Sequence, residues 1–503
     1  MPLTSPRADR THWVLLLALV WVTAWLRFTW PYWEDDAYIH LEYARSLAED
    51  HGFMFNSRLS NGDTSPLWVL WLALPMKLGA HGLWVSKFLT LLCCVATLAM
   101  LWRFTRLLLE DLALPSGAHL AWPLALFVSS PYFCYWAFSG MEAVAAAGWV
   151  MLQSSLLMPR RASRRTLLAA AICLGLGPLL RPELLLMLIV GGPFLLWQSK
   201  SVLQGSSPRT RIWTTVAILL AISLPLSVWS AYALQTFGHV MPNTNAAKQA
   251  PPGTWVSLRL LQVGALGFPG LILLGVALAV PDLRPATPGA AVRPLQRNWH
   301  GMPHTALPLL AWVVLVACFY MANHTHVQTR YVLVLAPGLL ALVCAMAVPR
   351  VHPTVLRSIT AGSVALGAGI SLLLVVPHMR NKIELIGSTA RMATHIEASL
   401  PPGTPVAVYA IGQFGYLLRD HELVDVGGIT RPSASRFLYD EKARVAWARA
   451  EGARYFIWGE APEPGAVLVQ SFDAHNVGWF MNPMAYAQSA PVRLWRLPAS
   501  PNE

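Results

Sequence analysis

The stretch Pro31-Tyr-Trp-Glu-Asp-Asp-Ala-Tyr-Ile-His-Leu-Glu-Tyr-Ala-Arg45 decides how the rest of the chain is read. It follows the apolar run Trp13 to Trp30 and sets three consecutive carboxylates, Glu34, Asp35 and Asp36, where a membrane helix should leave the bilayer. Behind them apolar residues recur at Tyr38, Ile39, Leu41, Tyr43, Ala44, Leu47 and Ala48, with Glu42, Arg45, Glu49 and Asp50 opposite, the spacing of an amphipathic helix. Carboxylates suit the first turn of such a helix, where free N–H groups and the dipole favour negative charge. On composition alone this is a solvated acidic cap on an interfacial helix. The sharper reading is a catalytic base beside the bilayer, and the remainder of the chain has to decide.

Of the 503 residues, 55% are hydrophobic and only 12% charged, against about 25% charged in a soluble domain. Many runs approach the roughly 20 apolar residues that span a bilayer, so a polytopic membrane protein is expected. Trp13–Trp30 is too long for a signal-peptide core and lacks a small-residue cleavage site, and it reads as an uncleaved anchor. The net charge of +12 could suggest nucleic acid. Its excess lies in short loops between apolar runs instead, which points to membrane lipids and no nucleic-acid partner. All six cysteines fall inside apolar runs, with neither zinc-site spacing nor a disulfide framework.

Eleven spans are expected: Trp13–Trp30, Leu83–Phe104, Leu120–Phe138, Met141–Met158, Thr166–Leu180, Leu184–Trp197, Ile212–Leu234, Leu258–Val280, Thr305–Met321, Tyr331–Val348 and Val355–Val376. Pro66–Gly79, 14 residues with Pro75 inside, suits an interfacial segment better. That choice puts Arg7/Arg10, Arg103/Arg106, Arg160/Arg161/Arg164/Arg165, Lys200/Arg209/Arg211, Arg284/Arg293/Arg297 and Arg350/Arg357 on the cytoplasmic side, and counting Pro66–Gly79 as a crossing would flip all the later clusters outward. Arg284–His304, rich in Pro and Arg, reads as a mobile cytoplasmic loop. The tail after Val376 then lies outside the cytoplasm. It reads as a small α/β domain, with a helix over Ile383–Leu400, strands at Val406–Ile411, Leu423–Val426 and Tyr455–Trp458, and a helix at Glu441–Ala450. Gly412-Gln-Phe-Gly415 lacks the full dinucleotide fingerprint and reads as a tight strand–helix turn.

The outer-face loops carry Glu142, the triplet Arg181-Pro-Glu183, the run from Phe237 through Asn243 to Lys248, and the run from Asn323 through His324, His326 and Arg330. Charged groups near membrane depth are costly and suggest function. Converged, these loops would supply carboxylates beside Arg181, Lys248 and Arg330. That set suits a reaction in which a phosphate leaves, held by the cations, and a carboxylate deprotonates a hydroxyl. Plainer readings stand beside this one. Arg181 could cap a helix and pair with Glu183, Lys248 and Arg330 could snorkel at the interface, and His324 with His326 make a weak metal pair better suited to loop or substrate contacts.

Trp33–Arg45, His51-Gly-Phe-Met-Phe-Asn56 and Asn61-Gly-Asp-Thr-Ser-Pro-Leu-Trp68 resemble the first periplasmic loop of integral-membrane GT-C glycosyltransferases. These include the mycobacterial arabinofuranosyltransferases. The lipid A aminoarabinose transferases and protein O-mannosyltransferases are more distant. Weaker matches are Ser139–Glu142, Arg181–Glu183, Met241–Thr244 with Lys248, Arg330-Tyr331 and Asp425–Ile429. Relatives often carry Glu-Gly-Tyr where this chain has Asn61-Gly-Asp63, and the His324–Gln328 loop matches no known pattern.

The resemblance implies an all-α polytopic membrane domain of the GT-C type (1–376), with about eleven transmembrane helices plus juxtamembrane helices in the first outer loop. A small C-terminal extracytoplasmic α/β domain (377–503) follows. It implies an inverting transferase in a bacterial inner membrane, with its active site and tail facing the periplasm or exterior. The donor is a polyprenyl-phosphate-linked sugar, a pentofuranose such as arabinofuranose being one option, and the acceptor is a hydroxyl of a cell-envelope glycan, lipid or protein. Asp35 maps to the general base and Asp36 assists. Lys248, Arg330 and Arg181 take the donor phosphate, and Glu34, Tyr38, His40, Glu142, Glu183, Asn243, His324 and His326 contact substrate. The resemblance leaves metal dependence open: some relatives hold a divalent cation (Mg, Ca or Mn) at the site of Asp35 and Asp36, and others need none. The rival reading is a transporter or flippase of lipid-linked saccharide, which would share the phosphate site without the chemistry.

Overall fold

The computed structural model describes residues 11–114, 118–158, 162–280, 306–475 and 491–498. The loop Arg284–His304, Arg7, Arg10, Arg160 and Arg161 lie outside the described residues. The chain opens with α1 (Thr11–Thr29), and α2 (Asp35–Ala48) follows after five residues. A two-residue antiparallel pair, β1 (Met54–Phe55) and β2 (Arg58–Leu59), leads to α3 (Pro66–Lys77). At 12 residues α3 is about 18 Å long, short of the roughly 30 Å hydrocarbon layer. It packs against α2.

The bundle continues through α4 (Gly82–Asp111), α5 (Ala121–Val128), α6 (Pro131–Trp136), α7 (Ala143–Leu156), α8 (Arg164–Leu180), α9 (Leu184–Val202) and α10 (Pro208–Phe237). A single turn, α11 (Thr244–Ala247), precedes α12 (Val256–Gly267), α13 (Pro269–Ala279), α14 (Leu307–Ala322), α15 (Thr329–Ala347) and α16 (Pro353–Ile370). All eleven expected apolar runs contain helix. Among the described residues six helices are long and apolar enough to cross a membrane, or seven if the bent pair α12–α13 is one span. The remaining runs form shorter or broken helices. The Leu120–Phe138 run breaks at Ser129-Ser130, where Pro131 cannot continue the preceding helix and the Ser130 side chain caps Tyr132 N–H at 3.2 Å. The Leu258–Val280 run bends by 97° at Phe268, ahead of Pro269. The central helix is α15, 83% of whose span is buried, whereas only 6% of the α10 span is. That contrast puts α15 inside the bundle and α10 on its apolar surface.

After a π-helical turn at Ser371–Val375, α16 runs directly into α17 (Val376–Ser399) and on to the C-terminal unit. That unit holds β3 (Val406–Val408), α18 (Ile411–Leu417), β4 (Leu423–Asp425), α19 (Glu441–Ala450), β5 (Tyr455–Ile457), β6 (Val467–Phe472) and β7 (Val492–Arg496). The sheet order is β4-β3-β5-β7-β6. β3 is parallel to both neighbours, and β5–β7 and β7–β6 are antiparallel. Gly412–Gly415 falls in α18, the helix that leaves β3. Sequence reading finds β3, β4, β5 and α19 but not β6 and β7. In β7 the buried Val492 and Leu494 alternate with arginine and tryptophan, a period-2 signal diluted by charge.

Candidate active site

The acidic triplet straddles the start of α2: Glu34 is its extended N-cap, and Asp35 and Asp36 form its first turn. Successive helical residues point about 100° apart, so neighbouring carboxylates face different ways. Asp36, Ile39 and His40 line a cavity of about 360 Å³, while Asp35 and Tyr38 line a separate cleft of about 70 Å³ against the C-terminal unit.

In the large cavity Arg330, at the N-terminus of α15, donates from Nη2 to Asp36 Oδ2 at 2.6 Å. Lys248, just after α11, donates to the same oxygen at 3.1 Å. Burial would raise the Asp36 carboxyl, but the Lys248 and Arg330 charges outweigh it and hold the group well below the usual carboxylate range. A second chain of charges runs along the cavity floor. His40 Nδ1 lies 2.5 Å from Asp63 Oδ2 and its Nε2 3.1 Å from Glu142 Oε2. Burial lowers the imidazole, yet the Asp63 carboxylate, with Glu142, raises it to about 10, so His40 is a cation at neutral pH. Arg181 then donates to Glu142 at 2.6 Å and to Glu183 at 2.7 Å, and Tyr320 donates to Glu183 at 2.7 Å. The remaining wall is apolar, with Leu186, Leu226 and Trp229 among its side chains. Leu185 and Phe319, also in the lining, are 40% and 42% exposed.

Asp35 is held from the other side. Its carboxylate accepts N–H bonds from Gly412 at 3.1 Å and Gln413 at 2.9 Å, in the first turn of α18. Position 412 has to be glycine, because a Cβ there would be driven into the Asp35 carbonyl and stand 2.9 Å from its Cγ. Burial raises Asp35 to about 6, with the neighbouring Asp36 charge adding to it and the two N–H bonds opposing.

The other expected site residues sit behind these walls. Glu34 accepts from Tyr32, from Tyr135 at 2.6 Å and from Lys382 at 3.3 Å, which anchors the entry into α2. Asn243 donates from its backbone to Asn61 at 2.8 Å and from its side chain to the Ile429 carbonyl at 3.2 Å, tying the Lys248 loop to the first loop and the tail. The His326 N–H donates to the Lys248 carbonyl at 3.0 Å, and burial pushes the His326 imidazole down to about 4. His324 lines neither cavity; its Nε2 lies 3.4 Å from the Pro251 carbonyl. Sequence reading misses Asp63, Gly412 and Gln413 as site residues. Asp63 stands in a quoted first-loop motif, while nothing in the sequence signals the N–H pair.

A divalent cation fits Asp35 and Asp36 poorly. The two carboxylates face different cavities, Lys248 and Arg330 stand against Asp36, and backbone N–H groups occupy Asp35. Among the described residues no group of three or more His, Cys, Asp or Glu is arranged to hold a metal ion.

No protein-family profile and no curated protein sequence matches the chain. Among solved structures it matches ArnT from Cupriavidus metallidurans bound to undecaprenyl phosphate, over 96% of this chain and 98% of that one, at 14% identity and a TM-score of 0.60. The apo state of the same protein gives 13% identity and a TM-score of 0.61 over 97% and 99%. The arabinofuranosyltransferase AftD from Mycobacteria matches over 97% of this chain but 40% of its own length, at 15% identity and a TM-score of 0.50. At these identities the likeness is one of fold, and the fold is that of a multi-pass membrane protein.

Proposed function

We propose that the chain is an inverting glycosyltransferase that moves a sugar from a polyprenyl-phosphate donor to a hydroxyl of a cell-envelope acceptor. One observation carries this reading: Lys248 and Arg330 converge on a single Asp36 oxygen inside a largely apolar cavity, one residue from a second carboxylate. The cations suit a lipid-borne phosphate, and the apolar wall suits its prenyl chain. The undecaprenyl phosphate bound to ArnT, a protein of the same fold, supports a donor of this class. In the reaction the acceptor oxygen attacks the anomeric carbon and its proton passes to Asp35. The bond from that carbon to the phosphate oxygen breaks, and the polyprenyl phosphate leaves with the electron pair, its charge held by Lys248 and Arg330. Arg181, already shared by Glu142 and Glu183, stands further back. Asp36 keeps the two cations together until the phosphate takes them. A phosphate needs no protonation to leave, so one base suffices, unlike glycoside hydrolysis with its acid and base. A single displacement inverts the anomeric centre.

A pentofuranose such as arabinofuranose is one candidate for the sugar. We place the protein in a bacterial inner membrane with eleven crossings, and with 377–503 outside the cytoplasm as a domain distinct from 1–376. The test is release of polyprenyl phosphate from a radiolabelled panel of polyprenyl-phosphate sugars, with wild type and Asp35→Asn side by side, each with and without chelator. Release by wild type alone establishes transfer and names the sugar. Equal, negligible release by both folded proteins over a broad panel returns the site to the flippase reading.

A further inference from the structure

Lys87 lies in the second turn of α4 and is only 1% exposed, a cation buried near the start of an apolar helix. We propose that it is a positioning residue of the transfer reaction: one ammonium holds the end of α1 and the end of α6 together, and so fixes where the first turn of α2 presents Asp35 and Asp36. The kinetic consequence rests on the transferase reading, whereas the geometry stands apart from it.

A lysine ammonium has three donors and no acceptor. Those of Lys87 go to three backbone carbonyls: Phe138 at 2.6 Å, Thr29 at 3.2 Å, and Tyr32. The last carbonyls of a helix have no partner within it and carry the negative end of its dipole. Thr29 is the last residue of α1, Tyr32 ends the turn after it, and Phe138 stands just beyond α6. The cation therefore serves two chain ends at once. With its donors spent it has none to offer a substrate, and it lines neither the large cavity nor the Asp35 cleft. Charged side chains at membrane depth are costly and by default point to function.

Both held segments run straight into the site. Tyr32 stands just before Trp33 and Glu34, the N-cap of α2, and Asp35 and Asp36 follow. Phe138 precedes Ser139, whose carbonyl accepts the Glu34 N–H at 3.0 Å. Trp33 lies between the segments, its ring centroid 4.4 Å from the Lys87 ammonium and its Nε1 donating to Ser86 Oγ at 3.0 Å. Gly140 closes the packing: its φ is +85°, and a Cβ there would stand 3.0 Å from Ala37 Cβ and 3.1 Å from Trp33 Cδ1. An apolar side chain at position 87 would leave the three carbonyls unpaired and free the α1–α2 turn to slide against the loop that leads to Glu142.

The test uses the full chain in lipid nanodiscs. Lys87→Met keeps the length of the side chain and removes the ammonium; Gly140→Ala leaves Lys87 in place and wedges the same packing. Bound undecaprenyl phosphate counts the donor-competent molecules, and transfer is expressed per such molecule at saturating donor. A reacting group moved by about 1 Å can cost on the order of a hundredfold, so each variant should lose about that much kcat with undecaprenyl phosphate affinity within twofold of wild type. Hydrogen exchange read by mass spectrometry needs no turnover: the Gly412 and Gln413 N–H groups, held by Asp35, should exchange at least tenfold faster in both variants. Thr90→Val, whose hydroxyl bonds only to the Ser86 and Lys87 carbonyls of its own helix, should leave transfer within twofold. The proposal is overturned if donor-competent Lys87→Met molecules turn over and exchange as wild type does, which would make Lys87 a stability element alone. It is also overturned if folded Lys87→Met loses lipid binding along with transfer, or if Thr90→Val loses as much as Lys87→Met. Should Lys87→Met fail to fold, Gly140→Ala decides by the same two readings. A wild type that transfers from no donor sinks the transferase reading, and hydrogen exchange still decides whether Lys87 seats Asp35.

Discussion

Asp35 and Asp36 are adjacent in sequence, yet their surroundings push their carboxyl groups in opposite directions. Asp36 is pinned below the ordinary range by two cations, whereas Asp35 is raised to about 6 because burial outweighs its two N–H bonds. A base works best with a pKa near the working pH, which fits the proposal that Asp35 takes the proton and Asp36 positions the cations. A positioned base contributes about 10²–10⁴-fold. Asp35→Asn is therefore expected to lose about a thousandfold in kcat with donor binding within twofold, measured by radiolabel transfer and lipid binding on one preparation. The sign of the pH dependence follows. The working form is the carboxylate, so wild-type kcat/KM should be flat above about pH 6 and fall tenfold per unit below it; a flat profile to pH 4 would rule Asp35 out as the base. Asp36 competes with the donor phosphate for Lys248 and Arg330. Asp36→Asn should then bind undecaprenyl phosphate at least as tightly as wild type, while Lys248→Ala, losing a charge-assisted bond of about 1.5–3 kcal/mol, should bind about 10–100-fold more weakly. If Asp36→Asn binds as poorly as Lys248→Ala, Asp36 holds the site together rather than occupying it.

At the scale of elements, α2 is the part that sequence reading reaches best. Its acidic start, its amphipathic spacing and the shortness of α3 are all local properties: three carboxylates suit free N–H groups, and 12 residues fall short of the roughly 20 that span a bilayer. The convergence of Lys248 and Arg330 is legible as a charge pattern on outer loops, but not that both meet Asp36, because that contact joins residues 212 and 294 positions apart. The N–H bonds from Gly412 and Gln413 leave no trace in composition at all, since they come from backbone. His40 lies between these cases, predicted as a substrate contact and found buried between Asp63 and Glu142, where it ties α2 to the first loop and to α7. Removing one partner of a buried charge cluster costs about 3–5 kcal/mol, so His40→Leu should lower stability by that order in thermal melts of the purified protein. The pH window can be stated. The folded His40 has its pKa raised to about 10 from an ordinary ~6.5. Its contribution is thus fully present below about pH 6.5 and is lost as the pH climbs towards 10. The gap between wild type and variant should shrink across that window, and a gap constant from pH 6 to pH 10 would show that His40 acts through packing alone.

For the whole molecule the question is how the C-terminal unit is coupled to the membrane bundle. Beyond the continuous α16–α17 helix, the first loop grips it at several points. Asn56 donates to the Leu418 carbonyl at 2.9 Å and accepts the Leu423 N–H at 3.1 Å, and Arg45 donates to the Tyr416 carbonyl at 2.8 Å. The buried Asp425 carboxylate accepts from the N–H groups of Gly427, Gly428 and Thr430, which shapes the loop whose Ile429 carbonyl receives Asn243. The contacts of the unit that reach Asp35 are the N–H bonds from Gly412 and Gln413. A valine at position 412 would push α18 off α2 and take both N–H bonds from Asp35, while Lys248, Arg330 and Asp36, which meet one another across the bundle, would keep their arrangement. Displacing a reacting group by about 1 Å can cost on the order of a hundredfold in rate. Gly412→Val is accordingly expected to lose at least that much transfer while binding undecaprenyl phosphate within twofold of wild type. Limited proteolysis should also cut faster in the exposed Pro401-Pro402-Gly403 link, as the unit loosens from its seat. Lipid binding lost in parallel with transfer would mean that the C-terminal unit braces the entire bundle. Transfer lost alone would mean that the tail supports the base, and that the donor half of the site is complete without it.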